Sequence, residues 1–180
     1  PQVIELLTLR DVFCEEDINK IQEGLVIIRS HGVGPAPKLE FEKRGLSVLD
    51  ATCPKVGKVQ QTVAEQVQQG RHVIIVGERD HPEVRGLVGY GGEHCTVISS
   101  IEELESLPAF EKVTLLAQTT QNLEGFEKIR DRLIELYPDA VVKNTICAAT
   151  RRRQDEIREM AGNVDAMIVI GGRSSGNTRR

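Results

Sequence analysis

Apolar residues recur along this chain in two alternating patterns. Short runs rich in Val, Ile and Leu predict β-strands at Leu25–Arg29, Ser47–Leu49, His72–Val76, Thr96–Ile98, Val113–Leu116, Ala140–Val142 and Ala166–Ile170. Val26-Ile27-Ile28, Ile74-Ile75-Val76 and Met167-Ile168-Val169-Ile170 contain no polar position. Unbroken apolarity is the mark of parallel strands covered on both faces. Between the runs, Asp17–Glu23, Pro54–Gln69 and Leu123–Tyr137 carry apolar residues three or four apart and predict helices. In the last of these, Phe126, Ile129, Leu133 and Leu136 fall on one face. Strands alternating with helices predict an α/β fold with mostly parallel sheets.

The pattern also repeats. Gly77 lies 24 residues past Cys53, and Gly171 lies 24 past Cys147, with a helix and a strand between them each time. At that offset of 94, the loop residues His81 and Glu83 fall on Ser175 and Asn177. A second half-unit recurs as well. Val26–Arg29 with Ser30-His31 leads through a helix and a strand to Cys53, as Val113–Leu116 with Gln118-Thr119-Thr120 leads to Cys147. Internal repetition of this kind sets the architecture. It divides the chain into 1–52 (second half of a first α/β domain), 53–145 (a complete second domain) and 146–180 (first half of a third). The arithmetic predicts a further cysteine upstream of Pro1, and the chain reads as truncated at both ends.

Composition narrows the function. With 23 Lys+Arg against 27 Asp+Glu the net charge is −4, which excludes a basic nucleic-acid module. Hydrophobic residues at 39% and charged residues at 28% suit a folded globular chain. No apolar run approaches the roughly 18 residues of a membrane span, and Pro1 to Leu9 lacks a signal-peptide layout. A cytoplasmic protein is expected. The four cysteines, at 14, 53, 95 and 147, are too scattered for a disulfide framework and include no CxxC pair.

Cys53 and Cys147 share one slot in the repeat, each directly before a helix. A helix N-terminus favours thiolate, and thiolates from separate repeats can converge on a soft metal centre such as an iron–sulfur cluster. Cys14 and Cys95 have no repeat partner and are expected to be ordinary buried thiols. The polar loops Ser30-His31-Gly32, Asp80-His81-Pro82-Glu83, Gln118-Thr119-Thr120 and Ser174-Ser175-Gly176-Asn177 all follow strands. The carboxyl edge of an α/β sheet is where ligands bind, against the amino ends of helices that suit phosphate or diphosphate. Glu83 is the single carboxylate at an aligned loop position and is the natural proton donor. Gly171-Gly172-Arg173-Ser174-Ser175-Gly176 lacks G-x-G-x-x-G spacing, which disfavours a nucleotide-binding domain.

Six motifs then converge on one family. Arg-Ser-His-Gly-Val (29–33), Asp-Ala-Thr-Cys-Pro-x-Val-x-Lys-Val (50–59), His-Pro-Glu-Val-x-Gly (81–86), Ala-Gln-Thr-Thr (117–120), Asn-Thr-Ile-Cys-x-Ala-Thr-x-x-Arg-Gln (144–154) and Ser-Ser-x-Asn-Thr (174–178) occur in order. Together they resemble the LytB/IspH family of 4-hydroxy-3-methylbut-2-enyl diphosphate reductases of the non-mevalonate isoprenoid pathway. The resemblance implies a trefoil-like arrangement of repeated α/β domains around a central cavity. It implies a [4Fe-4S] cluster held by Cys53 and Cys147, with the third cysteine upstream of Pro1. It also implies diphosphate binding by His31, His81, Ser175 and Asn177, and proton delivery by Glu83, with Thr119 relaying the proton or orienting the substrate hydroxyl. Gly176 stands where many members carry a second Ser. The implied partners are an allylic diphosphate substrate and a ferredoxin- or flavodoxin-type electron donor, with no nucleic acid and no membrane. The implied reaction removes the substrate hydroxyl to give isopentenyl and dimethylallyl diphosphates. The rival expectation is a catalytically empty α/β fragment that binds diphosphate-like anions without a cluster.

Overall fold

The structure, a computed structural model, describes residues 2–172 and 175–179. Strand β1 (Leu25–Ile28), helix α2 (Pro35–Lys43) and strand β2 (Ser47–Asp50) form one unit in which the strands pair in parallel, Leu25 opposite Ser47 through Ile28 opposite Asp50. Helix α1 (Gln2–Thr8) precedes it, and α3 (Pro54–Gln68) leads out of it. The second sheet has four parallel strands in the order β4-β3-β5-β6. These are β3 (His72–Val76), β4 (Cys95–Ile98), β5 (Val113–Ala117) and β6 (Val141–Lys143). Parallel neighbours need crossovers, supplied here by α4 (Pro82–Gly91), α5 (Ile101–Glu105) and α6 (Leu123–Leu136). Helices α7 (Ala148–Ala161) and α8 (Gly176–Arg179) follow β6. Among the described residues no helix is long and apolar enough to cross a membrane.

The central strands β3 and β5 of the four-stranded sheet are buried on both faces because their side chains alternate between two cores. Ile74, Val76, Leu115 and Ala117 pack with Phe126, Ile129 and Leu133 of α6. Val73, Ile75 and Leu116 pack on the other face with Val59 and Val63 of α3 and Val84 and Leu87 of α4. Each fully buried aliphatic side chain contributes about 1.5–3 kcal/mol of transfer free energy. This sheet is therefore the rigid base from which the strand-end loops project.

Some expected elements differ. Ala166–Ile170 is not a strand: among the described residues no strand pairs with it, and Ile168 and Ile170 are 87% and 92% exposed. Asp17–Glu23 is reduced to a 3-10 turn at Ile18–Lys20, since Asp17 bonds back to the Asn19 N–H and Ile21 is already extended. Coverage on both faces holds for β3 and β5 but not for the two-stranded sheet, where Leu25, Ile27, Val48 and Leu49 are exposed. On α6 the buried face ends at Leu133, because Leu136 lies in the last turn and is exposed.

Candidate functional site

The connections leave β3 and β5 in opposite directions, toward β4 and toward β6. That is the switch point at which an open α/β sheet forms its ligand crevice. The loop after β3 carries His81 and Glu83, and the loop after β5 carries Thr119.

His81 caps α4: its Nδ1 accepts the Glu83 N–H at 3.2 Å, and Pro82 fills the first helical position. This turn drives Glu83 inward, where it is 1% exposed. The carboxylate meets Thr119 twice. Thr119 N–H donates to Oε1 at 2.6 Å, and Thr119 Oγ1 donates to Oε2 at 2.7 Å. Thr119 is itself 5% exposed. Gln118, fully buried beside it, accepts from the Glu78 N–H and donates to Thr120 Oγ1, tying the two loops together. Gly77 permits this approach, since a Cβ there would lie 2.9 Å from Val84 Cγ2 and 3.1 Å from Gln118 Oε1.

His31, in the loop after β1, brings the small sheet to the same place. Its ring meets that of His81 edge-on, with centroids 5.2 Å apart. Its Nδ1 is buried with no hydrogen-bond partner among the described residues. Burial, and secondarily the positive charge of Arg29, lowers its pKa below the ordinary histidine value.

The two repeat cysteines occupy matching positions. Cys53 is the N-cap of α3 and Cys147 the N-cap of α7. Each backbone N–H reaches the strand-end loop alongside, Cys53 to the Ser30 carbonyl at 3.0 Å and Cys147 to the Thr119 carbonyl at 2.8 Å. Each follows an Asx turn: Asp50 Oδ1 accepts the Thr52 N–H, and Asn144 Oδ1 accepts the Ile146 N–H. Hydrogen bonds from Lys38 and then Thr52 hold the Asp50 carboxyl down at about 2. Both thiols are half-buried and free. Among the described residues no group of three or more His, Cys, Asp or Glu comes together as a metal site. The chain thus offers two equivalent thiols, which fits part of a cluster's donor set and not the whole of it. Cys95 is half-buried, its thiol pushed up to about 12 by burial, and Cys14 is exposed, contrary to the expectation that both are buried.

Asn177 is exposed on α8, and Thr150 Oγ1 of α7 donates to its Oδ1 at 3.3 Å. Ser175 is half-buried and its carbonyl accepts the Thr178 and Arg179 N–H groups. Ser174 of that loop lies outside the described residues. Arg179 pairs with Glu78 at 3.8 Å, linking α8 to the loop after β3. Two surface clefts are lined by other residues, one by Arg79, Arg85 and Cys95 and one by the outer face of α7. Sequence reasoning gave no role to the buried glutamines Gln60 and Gln154, 3% and 5% exposed. Each amide donates to a strand-end loop, to the carbonyls of Val33 and Gln121 respectively. Their separation of 94 was the available signal.

These features define a repeated parallel α/β protein with a buried His–Glu–Thr site where its sheets meet. The sequence profile of the LytB protein family matches residues 1–180, and the chain belongs to that family. It is 42% identical over 180 residues to the 4-hydroxy-3-methylbut-2-enyl diphosphate reductase of Pelobacter propionicus, covering all of this chain and 64% of that protein. It is 45% identical over 184 aligned positions to the enzyme of the same name from Nitratidesulfovibrio vulgaris (strain Miyazaki F), covering 66% of it. A solved structure of (E)-4-hydroxy-3-methyl-but-2-enyl diphosphate reductase, the terminal enzyme of the non-mevalonate pathway, superimposes with a TM-score of 0.78 at 40% identity, over 99% of this chain and 65% of that one. The E-1-hydroxy-2-methyl-but-2-enyl-4-diphosphate reductase from Plasmodium falciparum superimposes with a TM-score of 0.90 at 26% identity, over 97% and 57%. The chain therefore spans between 57% and 66% of the length of these relatives.

Proposed function

We propose that this chain forms the proton-delivering and diphosphate-binding part of a cytoplasmic reductase acting on 4-hydroxy-3-methylbut-2-enyl diphosphate. The observation that carries the reading is the buried Glu83 carboxylate bonded at both oxygens by Thr119, beside two histidines. Replacing the C–OH of an allylic alcohol by C–H consumes two electrons and two protons and releases water. Cys53 and Cys147 would hold two corners of an iron–sulfur cluster, with a further thiolate from outside 1–180. When bound, such a cluster supplies the electrons and a Lewis-acidic iron. The electrons are drawn from a ferredoxin- or flavodoxin-type donor.

The chain's own residues do the rest. In its protonated form Glu83 donates from Oε2 to Thr119 Oγ1, and that hydroxyl, both donor and acceptor, passes its proton outward. The Thr119 N–H on Oε1 holds the carboxyl in line for the transfer. His31, His81, Ser175 and Asn177 supply donors to the diphosphate, with the unpartnered Nδ1 of His31 a ready group for an anion. Isopentenyl and dimethylallyl diphosphates are the products. In the full-length, cluster-loaded protein, Glu83→Gln keeps shape and hydrogen bonding but has no transferable proton. It should bind substrate and turn over at least ~100-fold more slowly. Near-normal turnover at equal cluster content would refute the assignment.

A further inference from the structure

The 94-residue repeat pairs positions on α3 with positions on α7, and one pair changes chemical type at a buried site. Val56 is 4% exposed, as is its counterpart Thr150, yet Thr150 is polar. A hydroxyl in an apolar slot is costly unless it is bonded. Thr150 Oγ1 finds its acceptor in Asn177 Oδ1 at 3.3 Å. Asn177 is in turn the counterpart of Glu83. Glu83 is fixed by Thr119 from the neighbouring strand-end loop, whereas Asn177 is fixed by a hydroxyl on the helix headed by Cys147.

We propose that Thr150 is a positioning residue that aims the Asn177 amide at the bound anion. A primary amide has one accepting end and one donating end, and only the donating end can meet a phosphate oxygen. With Thr150 Oγ1 donating to Oδ1, as observed, both Nδ2–H bonds are left for the anion. Without Thr150 that hydrogen bond is lost, and half of the amide's flips present a repelling carbonyl. Thr150 also lies one turn from the Cys147 cap, so one helix start carries both a thiol and the group that orients an anion donor. This rests on the reading of Asn177 as a diphosphate ligand.

The test is titration calorimetry of the full-length protein with inorganic diphosphate. Thr150→Val removes the hydroxyl with little change of volume, and Val56 shows that the repeat accepts that side chain. It should weaken binding about five- to tenfold, the effect of one lost hydrogen bond. Thr150→Ser should stay within about twofold of the parent. In an Asn177→Ala background Thr150→Val should add nothing. Parent-like binding by Thr150→Val, or the same loss with and without Asn177, would overturn the proposal. Parent-like binding by Asn177→Ala would instead sink the anion-site reading on which it rests. Should Thr150→Val not fold, Thr150→Ala carries the same comparison.

Discussion

Glu83 and Thr119, 36 residues apart in sequence, meet at two points at the ends of adjacent parallel strands, one bond from the threonine backbone and one from its side chain. The backbone bond is independent of the residue at 119, while the side-chain bond requires a hydroxyl. The same threonine carbonyl accepts the Cys147 N–H. One residue thus ties the acid to the start of the helix that bears a repeat cysteine.

The side-chain bond can be removed alone. Thr119→Val preserves shape and the backbone donor but removes the hydroxyl that donates to Glu83 Oε2 at a site that is 1% exposed. The expected cost is about 1–3 kcal/mol, the penalty for a buried polar group short of a bond. Thr119→Ser should recover most of it. Urea unfolding monitored by circular dichroism checks both, and equal midpoints for Val and Thr at 119 would mean the bond contributes nothing to stability.

His31 supplies a pH signature. Its pKa is lowered in the folded state by burial and then by Arg29, so the unfolded chain takes up the proton first as pH falls. Its contribution to stability is complete above the unfolded value near 6.5 and is lost as pH drops through the lower folded value. His31→Gln should flatten the fall in unfolding midpoint below about pH 6.5, measured by thermal melts across pH. An unchanged slope would show that other groups set the acid limb. An anion at Nδ1 favours the imidazolium, so diphosphate binding near that pH should take up protons, read as calorimetric heats that depend on buffer ionisation enthalpy.

Much of this arrangement was legible in the residue order. The matched positions of Cys53 and Cys147 needed only the offset of 94, and the helix start after Cys53 follows from Pro54. The apolar run of β3 marked a covered strand, whereas the equally apolar run of β1 lies in the exposed two-stranded sheet. Ala166–Ile170 misled because apolarity marks what can be buried, and a strand exists only where another backbone bonds to it. Gln60 was missed, and Thr150 and Gln154 stood in a motif without a role, for the converse reason. Polar side chains are mostly exposed, so their burial becomes visible only once the loops they bond are in place.

The cysteines give the sharpest separation of roles. Cys53 and Cys147 share the N-cap slot and the bond to an adjoining strand-end loop, whereas Cys95 is packed against the α3–α4 core with its thiol pushed up to about 12. A thiol held protonated by burial is a poor metal ligand. Serine at position 53 or 147 should therefore abolish or sharply reduce the visible absorbance and bound iron of the anaerobically purified full-length protein, while Cys95→Ala leaves iron content unchanged and costs only packing. Paramagnetic resonance and iron analysis of the single variants would check this. Full iron occupancy in both Cys53→Ser and Cys147→Ser would show that the repeated slot serves capping alone and that the thiolates of any cluster come from elsewhere.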